Sequence, residues 1–438
     1  MAAAGRSIVC LSALLTAVAV CRAEPVVLRG EQVPALLGAP VSSLRLVGRD
    51  GTLLPLQVDE VTEEGEYVCD RGTEPNADSG NAVLDSSDEI VFMYEDCLPC
   101  RDNDQRRNSD SPENNRIRQV LLRIGSTDRC REALLCADTS LPVCTRRYIS
   151  YDHTRQLCTT PRYYARFAPD RFHFVRAGIA GKKAGTWIDL TRELRIDIQL
   201  RALWGLLPVH YTEDNLICFV KRYKVGPLRL IRRGDLHLRL GPGIRGSRAA
   251  VNQICYPSMV SVPVSISLPV RFKHFFRDAY LEMAPVITDA GADFLFSVPG
   301  CAIGRLVGGC DTVTEFIPCE LNANPFTLLR EGYGLGWVVQ SDIPSHPENR
   351  SGFMFNRPSI RSGRADCGYR LMIQDVPRGR YTVVNRVLFT RRDNPAIAEE
   401  FKALRQPATV VCNGKVSENR LTYDITSGEH RRNTGKNP

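Results

Sequence analysis

The sequence predicts a mainly β fold, a multi-part antiparallel β-sandwich that is disulfide-bonded and carries one short C-terminal helix. Apolar and polar residues alternate at a period of two, turn-forming segments such as "GRDGT" (48–52) separate the alternating runs, and cysteines are spread over the whole chain. Alternation at this period is typical of antiparallel strands with one buried face. Many strands and few helices favour packed sandwiches over an α/β fold.

The alternation is clearest in three stretches of the chain. In "LRIDIQL" (194–200) the leucines and isoleucines share one face, while Arg195, Asp197 and Gln199 share the other. The stretches "DLHLRLG" (235–241) and "VSVPVSISL" (260–268) repeat this pattern. Weaker patterns predict further strands at 42–48, 53–61, 89–95, 117–124, 164–176, 226–232, 291–297, 335–340, 368–374 and 380–390.

One segment, "NPAIAEEFKALR" (394–405), predicts a helix. Asn394 can cap its N-terminus and Pro395 suits the first helical position. Ile397, Phe401 and Leu404 would then form a single apolar stripe.

The first 23 residues are predicted to be a signal peptide, with Arg6 as its positive charge and an apolar segment at 8–20. We therefore expect a secreted or periplasmic protein. We expect no transmembrane segment, because no later run approaches about 20 consecutive apolar residues. The rest is predicted to comprise an N-terminal β domain (24–150) with a disordered loop (101–115), a central β-sandwich (151–300), a C-terminal β region (301–426) and a disordered tail (427–438).

Cysteine usage agrees with export. Sixteen cysteines minus Cys10 and Cys21 of the signal leave fourteen, an even number that predicts disulfides formed in an oxidising compartment. The spacing does not give the pairing, although Cys301–Cys310 is the easiest local pair to propose. In "CLPC" (97–100) structural disulfides are favoured over a redox dithiol or a zinc site. The predicted disulfide cysteines are Cys69, Cys97, Cys100, Cys130, Cys136, Cys144, Cys158, Cys218, Cys255, Cys301, Cys310, Cys319, Cys367 and Cys412.

Charge is distributed unevenly along a chain whose formal net charge is +8. From Val58 to Cys100 acidic residues dominate and only Arg71 opposes them, whereas basic residues dominate from Arg146 to Arg248. Such asymmetry favours docking of two parts of the chain, or plain solvation, over steering of an anionic partner. Nucleic acid is a poor fit, because the basic residues are mostly arginines scattered over polar strand faces.

The loop from Glu74 to Asp85 is crowded with side-chain oxygens. Glu74, Asn76 and Asp78 alternate and Asp85 is twelfth, as in a calcium loop, but Ser79 stands where such a loop needs glycine. Calcium is therefore one interpretation and a solvated polar turn is the other. We expect no other cofactor.

Two histidines have a carboxylate nearby in the sequence, which is the pairing that general acid–base catalysis needs. They are His210 with Glu213, and His274 with Asp278. Each pair is a candidate catalytic group, and an ordinary surface histidine is the competing interpretation. The sequence contains no nucleophile elbow, no P-loop and no dinucleotide fingerprint that follows a strand.

Three aromatic residues are candidate ligand-binding platforms. Tyr333 and Trp337 stand among glycines in "GYGLGW" (332–337), and Trp204 stands in "LWGLL" (203–207). Exposed rings can stack on sugars, but a tryptophan among glycines also often anchors a core beside a close backbone approach.

Four short segments resemble the opening half of a group of uncharacterised exported β-rich bacterial proteins. They are "LLPLQVDEV" (53–61), "EGEYVC" (64–69), "SSDEIVFMYEDC" (86–97) and "VGPLRLIRR" (225–233). The resemblance implies export and a β-rich fold. It brings no activity and therefore no functional residue.

These observations leave two interpretations of function. The first is a non-catalytic binding or surface-associated protein whose sheets present loops and a basic face to a glycan or an envelope protein. The second is a carbohydrate-active lyase or hydrolase on a large β-sandwich. An enzyme should gather a histidine, a carboxylate, an arginine and an aromatic ring in one groove, and the lack of a recognised catalytic motif favours the first interpretation.

Overall fold

The structure is a computed structural model that describes most of the chain from Pro25 to Glu418. Its residues are 25–100, 118–125, 130–169, 173–181, 183, 185–241, 244–268, 272–274, 276–288, 295–297, 304–305, 314–321, 326–330, 333–344, 351–356, 365–390, 409–412 and 415–418. The predicted signal peptide, the loop 101–115, the helix 394–405, the tail 427–438, Cys301 and Cys310 lie outside the described residues.

Strands dominate the described residues, which confirms the predicted mainly β class. The first third of the chain contributes β1 (Pro25–Arg29), β2 (Leu44–Val47), β3 (Leu53–Leu54), β4 (Gln57–Asp59), β5 (Arg71–Gly72), β6 (Glu89–Met93), β7 (Leu98–Pro99), β8 (Gln119–Ile124) and β9 (Arg131–Ala137). The middle contributes β10 (Ser150–Asp152), β11 (Leu157–Thr159), β12 (Tyr163–Phe167), β13 (Phe174–Ala180), β14 (Trp187–Ala202), β15 (Leu207–Thr212), β16 (Leu216–Val225), β17 (Leu230–Gly241), β18 (Ile244–Cys255), β19 (Met259–Leu268) and β20 (Phe276–Ile287).

The last third adds β21 (Leu295–Ser297), β22 (Gly304–Arg305), β23 (Thr314–Pro318), β24 (Phe326–Arg330), β25 (Tyr333–Ser341), β26 (Gly352–Asn356), β27 (Ala365–Met372), β28 (Gly379–Thr390), β29 (Thr409–Cys412) and β30 (Lys415–Glu418). Short 3-10 turns occupy Gly30–Gln32, Pro34–Leu36, Val41–Ser43, Ala77–Ser79, Tyr94–Asp96, Leu203–Gly205, Glu213–Asn215 and Phe272–His274. Among the described residues no helix is long and apolar enough to cross a membrane.

Two ten-stranded antiparallel sheets form the sandwich. The outer sheet runs β10-β11-β12-β13-β14-β20-β27-β26-β23, with β15 paired to β14. The middle sheet runs β22-β21-β24-β25-β28-β19-β18-β17-β16-β5. Strands from before and after residue 300, where the sequence predicts a boundary, therefore occur together in each of the two sheets.

The N-terminal part forms two smaller sheets, which we call the N-terminal sheets. One runs β1-β6-β4, and the other runs β3-β2-β9-β8-β29-β30 with β7 on β9. The last two described strands thus join the N-terminal part, because Val410 of β29 lies opposite Ile124 of β8.

The central strands of the middle sheet, such as β25 and β28, are buried on both faces. A first core, between the outer and middle sheets, contains Leu230 and Val387, while a second core, between the middle and N-terminal sheets, contains Ile231 and Leu388. Successive side chains of a strand point to opposite faces, so neighbours in the sequence enter different cores. This explains why strands of the middle sheet, such as β25, read as nearly continuous apolar runs.

Pro263 lies inside the middle sheet, although a proline within a strand is usually confined to an edge strand or a bulge. Its strand, β19, pairs with both β18 and β28. The register with β18 is the same on both sides of Pro263, but no residues pair between Val264 and Ser261, and Pro263, which has no N–H to donate, lies in that gap.

The outer sheet keeps one face open to solvent, as the alternation in 194–200 predicts. Leu194 and Ile196 enter the first core, while Arg195, Asp197 and Gln199 lie on the opposite face. This open face carries the candidate site.

Candidate functional site

The hairpin formed by β14 and β15 brings His210 against Asp197. In its register His210 faces Gln199, and Asp197 faces Thr212. His210 Nε2 lies 2.7 Å from Asp197 Oδ1, and the two side chains are 55% and 10% exposed. Asp197 also accepts a hydrogen bond from Gln199 Nε2 at 3.2 Å and lies 3.6 Å from Arg195 Nη2.

The neighbouring strands extend this group across the sheet. On β20, Tyr280 lies opposite Gln199 and Glu282 lies opposite Asp197. On β27, Arg370 lies opposite Glu282, and its Nε donates to Glu282 Oε1 at 2.7 Å.

Arg370 is held between two aromatic rings as well as by the carboxylate. Its guanidinium carbon lies 4.6 Å from the Tyr280 ring centre and 4.9 Å from that of Phe316 on β23. Cation–π contacts of this kind orient a guanidinium without removing its hydrogen-bond donors. We call the whole group the polar face: Arg195, Asp197, Gln199, His210, Tyr280, Glu282, Phe316 and Arg370.

Charge on the polar face is locally balanced. Asp197 and Glu282 are both largely buried, and each lies beside cationic or hydrogen-bonding partners, as buried carboxylates require. Burial, reinforced by the negative charge of Glu282, raises the pKa of Tyr280. The Tyr280 hydroxyl therefore stays protonated at neutral pH and remains a hydrogen-bond donor.

The structure changes the partner of His210. Glu213, its predicted partner, begins the 3-10 turn after β15 and accepts a hydrogen bond from the Ile196 N–H at 3.1 Å. The partner of His210 is thus Asp197 on the neighbouring strand and not Glu213, because β15 ends at Thr212 and the following 3-10 turn carries Glu213 away from the histidine. The group missed by the sequence is thus Asp197, Tyr280, Glu282 and Arg370.

The second predicted pair, His274 with Asp278, is not joined by a hydrogen bond or ion pair among the described residues. His274 is exposed in the 3-10 turn Phe272–His274, and Asp278 pairs with Arg201 at 3.5 Å. The pair offers no acid–base group in this structure.

Two of the three predicted aromatic platforms lie in the first core. Trp337 is 1% exposed and Tyr333 is 7% exposed. The Trp337 indole donates to Asn385 Oδ1 at 3.3 Å, and the Tyr369 hydroxyl donates to the same oxygen at 2.6 Å. Buried in this way, neither predicted ring presents a face to a ligand. Trp204 is 70% exposed at the tip of the β14–β15 hairpin.

The predicted calcium ligands do not converge. Lys221 Nζ lies 2.7 Å from Glu74 Oε2, and Asp85 Oδ2 accepts a hydrogen bond from Asn81 at 2.6 Å. Asn76 Oδ1 accepts the Cys69 N–H at 2.8 Å, and Asp78 is exposed. Among the described residues no group of three or more histidine, cysteine or acidic side chains could hold a metal ion.

One disulfide is present in the part of the chain that the structure describes, between Cys100 and Cys130. Cys97, the other end of "CLPC", is a buried thiol that lies 3.6 Å from the Met93 carbonyl oxygen. The motif is therefore divided between a disulfide and a thiol. The other predicted disulfide cysteines that are thiols here are Cys69, Cys136, Cys144, Cys158, Cys218 and Cys255.

A second group of charged residues lies deep between the N-terminal sheets and the middle sheet. Arg229 is fully buried, with its Nε 2.6 Å from Asp59 Oδ2 and its Nη2 2.7 Å from Glu89 Oε2. The Arg229 guanidinium also donates to the Tyr256 hydroxyl at 3.1 Å. We call this group, with Gln57, the buried charged cluster.

The buried charged cluster joins three of the four segments that resemble exported bacterial proteins. Gln57 and Asp59 come from "LLPLQVDEV", Glu89 from "SSDEIVFMYEDC", and Arg229 from "VGPLRLIRR". Gln57 Oε1 accepts the backbone N–H groups of Leu228 and Arg229 at 3.0 and 2.9 Å. These segments therefore hold two layers together.

Gly226 packs closely against Gln57 of the buried charged cluster. A Cβ at Gly226 would lie 1.9 Å from Gln57 Oε1, so only glycine fits there without displacing that side chain.

A surface cleft of about 490 Å³ lies elsewhere, beside β10 and β11. It is lined by Arg147, Tyr148, Ile149, Ser150, Tyr151, Thr159, Thr160, Pro161 and Val225. No histidine or carboxylate lines it, so it offers no acid–base pair, and none of the predicted site residues lies in it.

Comparisons with known proteins assign no family to this chain. No family model matches the sequence. No curated protein matches it either. An α-mannosidase from Enterococcus faecalis has a TM-score of 0.42 and 8% identity over 90% of this chain and 44% of that chain. A second Enterococcus faecalis protein, in glycosyl hydrolase family 38, has a TM-score of 0.44 and 7% identity over 89% and 44%.

The heparan sulfate lyase HepC from Pedobacter heparinus has a TM-score of 0.29 and 10% identity over 60% of this chain and 38% of that chain. The chain thus spans less than half the length of each of these three structures.

Proposed function

We propose that this chain is an exported, non-catalytic protein that binds a glycan on the polar face of its outer sheet. The observation that carries the proposal is the alignment of side chains across neighbouring strands. His210, Gln199 and Tyr280 form one row, and Asp197, Glu282 and Arg370 form the next.

The chemistry of the polar face suits sugar hydroxyls, which both donate and accept hydrogen bonds. Asp197 and Glu282 supply acceptors, Arg370 supplies donors, and Gln199 and His210 supply both. The half-buried rings of Tyr280 and Phe316 add apolar surface on which a sugar ring can stack.

Export is supported by two independent features. The sequence predicts a signal peptide, and Cys100 and Cys130 form a disulfide. Disulfides form and persist in oxidising compartments and are rare in the cytosol.

The test is a thermal unfolding panel with neutral and acidic polysaccharides. A bound ligand at a hundred times its dissociation constant adds about 2.7 kcal/mol to the stability and raises the melting temperature. The double variant His210→Ala/Gln199→Ala should remove that shift for the bound glycan while leaving the melting temperature of the free protein within a few degrees.

Arg166→Ala is the matched control, because Arg166 is exposed on the same side of the outer sheet in β12. It should bind as the unaltered protein does. A panel with no shift, or equal binding by the His210/Gln199 variant, would contradict the proposal.

A second candidate function follows from the 2.7 Å contact between His210 and Asp197. A histidine oriented by a carboxylate can act as a general acid or base, so the same face could cleave the glycan it binds as a lyase or hydrolase. Release of new chain ends from a bound polysaccharide, lost in His210→Ala while binding persists, would favour this function. Unchanged polysaccharide after long incubation would exclude it for that substrate.

A further inference from the structure

The tip of the β14–β15 hairpin exposes a run of large apolar side chains. Leu203 is 56% exposed, Trp204 70%, Leu206 83% and Leu207 52%. They are four of the seven large apolar side chains that are exposed among the described residues. We call these four residues the hairpin tip. Scattered exposed apolar residues are ordinary, but a contiguous group on a protruding turn marks a contact surface.

The backbone of the turn presents these side chains in an unusual conformation. Leu203, Trp204 and Gly205 are all in the left-handed region, with φ of 51°, 58° and 100°. A side chain with a Cβ is disfavoured there, and such residues are often found where a binding function keeps them. Glycine would serve the turn better than Leu203 or Trp204, so these two residues are not explained by the needs of the turn.

Positive charge surrounds the hairpin tip. Arg201 is 60% exposed at the end of β14, and Arg277 and Lys273 are exposed on the neighbouring strand and turn. Arg277 packs beside Gly205, since its Cδ would lie 3.5 Å from a Cβ placed there. Asp278, paired with Arg201, is the acidic residue of the group, so three cations against one anion leave +2 with His274 neutral.

We propose that the hairpin tip inserts into the interfacial region of a lipid bilayer with anionic headgroups. Leucine side chains gain by leaving water for the acyl boundary, and a tryptophan ring suits the headgroup level. Arg201, Lys273 and Arg277 would lie at the level of the anionic headgroups and attract them. This inference does not depend on the polar face or on glycan binding.

The alternative occupants fit less well. A sugar would stack on Trp204 but would gain little from Leu206 and Leu207, which have no polar atoms beyond the backbone. A two-fold contact between two copies of the chain would place identical surfaces together. Arg277 and Lys273 of one copy would then lie close to the same residues of the other copy, and the repulsion between these positive charges would disfavour the contact.

The test is flotation of the full-length mature protein with vesicles of phosphatidylcholine alone or mixed with phosphatidylglycerol. We expect binding to the anionic vesicles, weakened by added salt. Leu206→Ser/Leu207→Ser should reduce the partition coefficient about a hundredfold or more, because burial of each leucine side chain contributes about tenfold or more. Lys273→Gln/Arg277→Gln should reduce it by about fivefold for each charge removed.

Val143→Ser is the matched control, because Val143 is 66% exposed far along the chain from the hairpin tip. It should bind vesicles as the unaltered protein does. Tryptophan emission should shift to shorter wavelength on binding, and Trp204→Phe should remove most of that shift, because Trp337 is buried and Trp187 lies at the end of β14 opposite the hairpin tip.

Three results would overturn the proposal. The first is no flotation with either vesicle, and the second is flotation that the two leucine substitutions leave unchanged. The third is a dimer in solution that Leu206→Ser/Leu207→Ser dissociates, which would assign the hairpin tip to a second copy of the chain.

Discussion

Arg229 is a fully buried cation that stays charged because Asp59, Glu89 and Tyr256 surround its guanidinium. Removing charges from water is costly, and only close geometry with further hydrogen bonds offsets that cost. Gln57 supplies those bonds by donating to Asp59 and accepting from the backbone of Arg229.

Asp59→Asn should lower the free energy of unfolding by about 3–5 kcal/mol, because it leaves part of the Arg229 charge buried without its partner. Urea unfolding of the variant measures the loss. Asp152→Asn is the control: it breaks an exposed pair with Arg155, whose side chains are 45% and 77% exposed, and should change stability by less than about 1 kcal/mol. Equal effects of the two substitutions would show that the buried pair contributes nothing special.

The same carboxylate predicts a pH dependence. Burial acts to raise the pKa of Asp59, but the charges of Arg229 and Lys224 and a hydrogen bond from Gln57 outweigh it, so the pKa is lowered. A lowered folded-state pKa contributes stability above the unfolded value of about 3.9 and loses it as the pH falls through the folded value. The stability difference between the unaltered protein and Asp59→Asn should therefore be full at pH 7 and shrink below about pH 4. A gap that stays constant down to pH 2 would contradict this assignment.

At the scale of residues, the sequence showed where acidic and basic residues are concentrated but not which of them form ion pairs. The acidic run from Val58 to Cys100 and the basic run from Arg146 predicted either docking of two parts of the chain or plain solvation, and Arg222 and Arg233 both pair with Glu66. No local pattern could connect Asp59 with Arg229, because 170 residues separate them. The resemblance to exported proteins marked the same segments, though not their role.

At the scale of elements, the polar face depends on the register of β14. The alternation predicted that Arg195, Asp197 and Gln199 share a face, and they do. It could not predict that His210 would meet Asp197, because a one-residue shift in the hairpin would send the histidine to the other face. The length of the turn at Leu203–Gly205 decides that register. Sequence alone does not reveal this turn, because only one of its three left-handed residues, Gly205, is a glycine.

The left-handed turn predicts an unusual response to glycine. Trp204→Gly should raise the free energy of unfolding by about 0.5–1 kcal/mol, because relief of a left-handed conformation that costs about 1–2 kcal/mol outweighs the roughly 0.5–1 kcal/mol entropy cost of a glycine, and the tryptophan makes few contacts at 70% exposure. Leu206→Gly is the control, since Leu206 is 83% exposed in the same turn at a φ of −78°. It should lower stability by about 0.5–1 kcal/mol. A loss of stability in Trp204→Gly would mean that the ring packs on the hairpin.

At the scale of the whole molecule, each sheet is built from strands that are distant in the sequence, so the layers are interlocked. The sequence predicts three consecutive β regions; in the structure β10–β15 build one part of the outer sheet, β16–β19 build one part of the middle sheet, and the strands from β20 to β28 are divided between these same two sheets. The last two described strands, β29 and β30, join the N-terminal sheets. Such long-range pairing leaves no local signal, because each strand's pattern shows only whether its faces are buried and not by which sheet.

Interlocked layers should unfold together, and two buried thiols report on this with the same chemistry. Cys97 lies in the second core and Cys218 in the first. Burial raises the pKa of both thiols to about 12, so neither should react with iodoacetamide at pH 8 while its core is intact.

Pulsed alkylation across a urea gradient, read by peptide mass spectrometry, should give Cys97 and Cys218 the same midpoint. The shared middle sheet is the reason, because loss of either core exposes one of its apolar faces. Cys144, which is partly exposed, should label in the folded protein and shows that the reagent is active. Labelling of Cys97 at clearly lower urea than Cys218 would mean that the N-terminal sheets open as a separate unit, as the predicted boundary near residue 150 would require.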